Sequence, residues 1–143
     1  MKSTLVLLLS VITLTAFAHE GVELGPNGGR ILEFSKNETM HGEVIAKDGK
    51  FHIAVLDKDM KPVAVAQQSL TAVTGDRNKP KKVNVEKTDE GFTLPAVEPG
   101  QWLILQYKDT PDSKAITARL EYNIDTCGGC NKPEWLCACK KEK

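Results

Sequence analysis

The chain has 143 residues, in which 19 lysines and arginines balance 19 aspartates and glutamates and only 6% of residues are aromatic. That length allows one domain with a real core but not two. A formal net charge of zero gives no electrostatic footprint for nucleic acid or an anionic membrane, both of which call for a marked basic excess.

Met1-Lys2-Ser3 opens a run, 5–17, that is apolar apart from serine and threonine and ends at Ala16-Phe17-Ala18. A basic start, a short apolar stretch and an A-x-A site predict a secretory signal peptide over 1–18. A spanning helix would need roughly 20 apolar residues, more than this run supplies, so no membrane span is expected after cleavage. No cysteine stands at the cleavage point to take a lipid. The expected product is therefore periplasmic or secreted and begins at His19, with a formal charge of about minus one once Lys2 is removed. A histidine at a new N-terminus offers an α-amine and an imidazole from one residue. That pair can chelate copper, and the terminus resembles those of exported copper-binding β-sandwiches. The alternative is a chance product of processing, followed by a frayed extension over 19–27.

From 28 to 122, short apolar or alternating runs are separated by turn residues, and none keeps a 3.6-residue period for long. Strands are predicted over 29–34, 43–46, 51–55, 62–65, 69–73, 83–86, 91–94, 102–107 and 115–122. Asp48-Gly49, between the second and third, is the strongest hairpin signal, because both turn positions take positive φ. The last strand alternates most clearly: Ile116, Ala118, Leu120 and Tyr122 share one face, Thr117, Arg119 and Glu121 the other. Breaks fall at Asp57-Lys58-Asp59, Thr74-Gly75-Asp76, Asp89-Glu90-Gly91, Pro99-Gly100 and Pro111-Asp112. The basic run 77–82, with Asn78 and Pro80 in it, reads as a solvated hairpin loop. Seven to nine short strands, with no helices to cover a parallel sheet, predict an all-β fold: an antiparallel β-sandwich of Ig-like kind over 28–122. A small barrel is the main rival.

Three stretches also resemble a known bacterial module. They are Gly25-Pro26-Asn27-Gly28-Gly29-Arg30-Ile31-Leu32-Glu33, Gly42-Glu43-Val44, and Val55-Leu56-Asp57-Lys58-Asp59-Met60-Lys61-Pro62-Val63. Together they look like a small β module found in or beside periplasmic adaptor subunits of heavy-metal efflux pumps of the resistance-nodulation-division type. The match covers a quarter of the chain strictly and two thirds in layout. Adaptor subunits carry long helical hairpins and lipoyl-like domains, for which this chain has no room. The resemblance therefore implies a free-standing accessory domain of that export setting, with a heavy-metal efflux component or a metallochaperone as partner. It supplies no ligand positions.

After Tyr122 the strand pattern stops, and 123–143 reads as a cysteine-rich irregular tail. All four cysteines of the protein, Cys127, Cys130, Cys137 and Cys139, lie in this tail. In Cys127-Gly128-Gly129-Cys130 two thiolates can bind one ion from a tight turn, and the glycines free the backbone to make it. Cys137-Ala138-Cys139 is a closer pair. Together they offer a tetrahedral sulfur site of the kind zinc takes, or a two- or three-coordinate site for Cu(I), since thiolates select soft metals. Two other uses stay open. Export favours disulfides, which would join the two pairs crosswise and close only short loops within the tail. A redox-active dithiol would want a helix N-terminus in a βαβ unit, and none precedes this pair. With only Ile124, Trp135 and Leu136 as large apolar residues, the tail is expected to need a cross-link, by metal or by disulfide, to be ordered.

His41 and His52 do not pair on this reading. A two-residue turn at Asp48-Gly49 sets Ile45 opposite His52 and leaves His41 four residues further on, with Cα atoms roughly 13 Å apart at 3.3 Å per residue. Met40, Met60 and these histidines read as ordinary strand or loop residues. No G-x-S-x-G elbow, phosphate-cradling glycine loop or H-E-x-x-H motif is present, which favours a binding protein over an enzyme.

Overall fold

The computed structural model describes residues 21–139; the expected signal peptide and His19 lie outside the described residues. Alternation decides the strands. In β3 (Lys50–Asp57), Phe51, Ile53 and Val55 are buried while His52 is exposed, and in β8 (Trp102–Lys108), Leu103, Leu105 and Tyr107 are buried while Trp102 and Gln106 are exposed. The other strands are β1 (Arg30–Glu33), β2 (Met40–Lys47), β4 (Ser69–Asp76), β5 (Lys79–Val83), β6 (Glu86–Thr88), β7 (Gly91–Pro95) and β9 (Ile116–Glu121). They form two sheets with orders β1-β2-β3-β7-β6 and β5-β4-β8-β9, and every pairing is antiparallel. The inward faces of the two sheets meet in one core, in which Phe34 stacks on Tyr107 with ring centroids 4.4 Å apart. This is the antiparallel β-sandwich that the strand pattern predicts.

The β2–β3 hairpin has the expected register. Lys47 pairs with Lys50 across Asp48-Gly49, whose φ values are 53° and 72°, and Ile45 lies opposite His52. Alternation in β9 also holds, with Ala118 and Leu120 buried and Thr117, Arg119 and Glu121 exposed.

Four expectations need correction. The basic run is not a loop: only Arg77-Asn78 turns, and Lys79–Val83 pairs with β4 as an edge strand. An edge tolerates a proline without an N–H, and lysines there discourage further strand addition, so loop-like composition is what an edge strand requires. Thr74-Gly75-Asp76 is accordingly the end of β4 and not a break. The stretch 83–86 is not one strand, because the chain changes sheets there: β5 belongs to the four-stranded sheet and β6 to the five-stranded one. Nor is 62–65 a strand. Asp57 folds the chain back by accepting the N–H groups of Asp59 and Lys61, and Pro62 makes only an isolated bridge to Leu56.

A buried carboxylate fixes the start of the sandwich. Glu43 on β2 is fully buried and accepts the backbone N–H groups of Asn27 and Gly29 and the Asn27 side-chain amide, at 2.8–3.0 Å. The Gly25–Gly29 loop is thus wrapped around a charge that all three donors satisfy.

Candidate metal centre

The tail is built onto one end of the sandwich. Trp135, in a 3-10 turn (Glu134–Leu136), is 4% exposed and belongs to the core. Its ring meets Tyr122 and Phe51 at centroid distances of 5.4 and 6.1 Å, and Phe51 meets Tyr122 edge-on at 4.9 Å. Polar contacts fix its direction. The Trp135 N–H donates to the Asn123 carbonyl at 2.9 Å, the Glu134 N–H to Asp125 at 2.8 Å, and the Arg30 guanidinium to the Trp135 carbonyl at 3.3 Å. The N-terminal segment adds a further tie, with the Val22 N–H donating to the Cys137 carbonyl at 2.8 Å. Order in the tail therefore comes from docking as well as from whatever the cysteines do, which corrects the expectation that a cross-link alone must supply it.

Both cysteine pairs are placed by local turns. The Asn131 N–H closes on the Cys127 carbonyl at 3.0 Å and the Cys127 N–H on the Lys132 carbonyl at 2.8 Å, with Asn131 at φ 58°, a region asparagine tolerates. These bonds curl Cys127–Lys132 so that both thiols face inward. Space is tight at Gly129: a Cβ there would stand 3.1 Å from Cys139 Sγ and 3.8 Å from Cys127 Sγ, so the Cys139 sulfur would have to give way. Cys137 follows directly on the 3-10 turn, its N–H bonded to the Glu134 carbonyl at 3.1 Å, and the turn aims it at Cys127.

All four sulfurs lie within 4.8 Å of one another. Cys127 and Cys139 are 3.7 Å apart, Cys130 and Cys137 3.8 Å, and Cys127 and Cys137 3.1 Å. Four thiolates around one ion at a zinc–sulfur distance of about 2.3 Å would have edges of about 3.8 Å, so two of these separations already have the right length. Four cysteines gathered in this way can hold a soft metal ion. Cys127 and Cys137 are buried and Cys130 and Cys139 half-buried, so one edge of the group is open to solvent.

The thiols also act on each other's acidity. Hydrogen bonding from the Cys137 thiol, then from the Gly129 and Cys130 N–H groups, pulls Cys127 down to about 6. The same contacts oppose a second charge. Cys137 is raised by its bond to Cys127, and Cys139 is pushed up to about 12 by Cys137, Cys130 and Cys127. Cys127 thus ionises readily, while Cys137 and Cys139 resist a further charge beside it.

The remaining sequence candidates do not join this site. His19 lies outside the described residues. His41 is buried with Nδ1 3.1 Å from Glu33 Oε1, His52 is exposed four register positions away, and among the described residues the cysteines are the one group of three or more such side chains close enough to share an ion. What the sequence reading missed are the supports: Arg30, Val22 and Trp135, which set the tail's position, and Glu43. A lone tryptophan in an otherwise polar, cysteine-rich tail was the available hint of docking.

No family model, curated protein or solved structure matches the chain.

Proposed function

We propose that the chain is an exported soft-metal-binding accessory protein, periplasmic or secreted, that holds Cu(I) or zinc at Cys127, Cys130, Cys137 and Cys139. It sequesters the ion or hands it over. The observation that carries this reading is the convergence of four sulfurs from two turns to within 4.8 Å of one another. In such a group the Cys137 and Cys139 thiols are held against ionisation by their thiol neighbours, and a divalent or soft monovalent cation would offset that.

Burial suggests a direction for exchange. Cys127 and Cys137 anchor the ion from the protein side, while the half-buried Cys130 and Cys139 present it to an incoming thiol or imidazole. Hand-over fits the setting implied by the resemblance of 25–63 to modules beside heavy-metal efflux adaptors, with an efflux component or a metallochaperone as partner. Binding, not catalysis, is the proposed role.

The competing use of the same residues is a pair of crosswise disulfides. The docking of Trp135, Arg30 and Val22 weakens its rationale, since the tail does not depend on a staple for its place. Elemental analysis with a parallel free-thiol count, on protein purified without chelator, separates the two. About one equivalent of zinc or copper with four thiols released on denaturation is expected, and a Cys137→Ser variant should lose the metal. Absence of metal together with fully oxidised cysteines would overturn the reading.

A further inference from the structure

The outer face of the four-stranded sheet carries a feature the cysteine site does not use. Register places Lys82, Val73, Ile104 and Arg119 in one row across β5, β4, β8 and β9, two apolar side chains between two cations. Beside that row, Gly75 leaves the sheet without a side chain, and a hollow of about 540 Å³ opens there, lined by Asp76, Arg77, Pro80, Trp102, Ile104 and Arg119 among others. A second hollow of about 430 Å³ lies further along β4, between Thr71, Lys82, Val85 and Gln106, and the two share Val73. Trp102 is 46% exposed, one of two large hydrophobic residues in that state among those described. Arg77, Lys82 and Arg119 form no ion pair among the described residues.

We propose that this face docks an extended acidic peptide segment of a partner protein, with apolar side chains in the two hollows and carboxylates on Arg77, Lys82 and Arg119. Charge sets the sign of the partner: Arg77, Lys82 and Arg119 stand around the apolar floor without ion pairs among the described residues, against the carboxylates of Asp76 in the first hollow and Glu121 opposite Trp102, and the balance is positive. Shape decides that the ligand is an extended chain. Thr71 and Gly75 mark the two hollows, and four residues at about 3.3 Å each set them about 13 Å apart, the span of two side chains four residues apart on one strand-like peptide. Exposed tryptophan and arginine around an apolar centre is also the composition that concentrates binding energy at protein interfaces. The edge backbone of β5 is not the docking element, because Pro80 and the lysines protect it. Trp102 also walls a smaller hollow of about 200 Å³ that reaches Cys137. The proposal itself does not depend on metal.

The test is fluorescence anisotropy of the whole chain with synthetic labelled peptides. One carries aspartates with leucines four residues apart, a second has lysines in place of the aspartates, and a third has the leucines moved to adjacent positions. The acidic, correctly spaced peptide should bind, more weakly as salt rises, and about tenfold more weakly to Arg119→Glu and to Trp102→Ala. Both positions are exposed, and thermal melts verify that the variants fold. Chemical shifts should move at Val73, Gly75, Trp102 and Ile104. Protein stripped of metal with a chelator should bind the peptide unchanged, which keeps this test separate from that of the metal site. Equal binding of the lysine peptide, indifference to Arg119→Glu, binding to phosphatidylserine vesicles but not to peptide, or self-association through this face would each overturn the proposal.

Discussion

The Arg30 guanidinium donates to the Trp135 carbonyl at 3.3 Å across 105 residues of sequence, tying the first strand of the sandwich to the turn that carries Cys137. Burial lowers the pKa of this arginine and Glu121 raises it, so the contact is partly withdrawn from water and partly neutralised. The cysteine group is therefore an outgrowth of the core, and its geometry should respond to changes in packing that touch no cysteine.

Trp135→Ala is expected to cost about 3–5 kcal/mol of stability, the usual loss on truncating a buried aromatic side chain. The same variant should bind metal more weakly although all four cysteines remain. Ile124→Ala, at a position 47% exposed, should change neither quantity. Urea unfolding and chelator competition check both, and an unaltered denaturation midpoint for Trp135→Ala would refute the docking of the tail.

Gly129→Ala is expected to weaken metal binding about tenfold, close to 1.4 kcal/mol. The added Cβ would press on Cys139 Sγ at 3.1 Å, whereas a Cβ at Gly128 meets nothing within 4 Å. Gly128→Ala should accordingly bind as the parent does. Competition with a chromophoric chelator measures the pair, and equal losses at the two positions would mean that backbone freedom, not space, is what the turn requires.

In metal-free, reduced protein Cys127 should lose its proton near pH 6 and Cys139 near pH 12. The sign follows from linkage. Cys127 is depressed below an ordinary value of 9.0, so its contribution to folding is present above pH 9 and is lost as pH falls through 6. Cys139 is raised, so its contribution is present below pH 9 and is lost as pH climbs towards 12. Ultraviolet thiolate absorbance should show a first step near pH 6 that Cys127→Ser abolishes. As far as the cysteines decide it, stability of the metal-free protein should be greatest around pH 9.

Glu43→Gln is expected to destabilise the sandwich by about 1–3 kcal/mol, because an acceptor facing three N–H donors becomes in part a donor itself. Metal stoichiometry should stay the same, since Glu43 serves the Asn27 and Gly29 loop and not the cysteines. Denaturant unfolding beside elemental analysis tests the two halves of this statement separately.

Much of the molecule follows from sequence by itself. Period-two burial in β3, β8 and β9 is local, since adjacent residues on a strand must face opposite ways, and the Asp48-Gly49 turn then fixes one register without reference to the rest of the chain. The clustering of Cys127, Cys130, Cys137 and Cys139 is likewise legible, because short spacings bring thiols together in any compact tail. Tertiary structure alone decided the rest. Whether Lys79–Val83 is loop or edge strand depends on β4 being there to pair with it, and whether Glu43 is a surface charge or a buried anchor depends on which donors the chain folds over it. Trp135 could pack on the sandwich only because Phe51 of β3 and Tyr122, just past the end of β9, meet at that end. Those partners are distant in sequence, and contacts of that range leave no local periodicity to read.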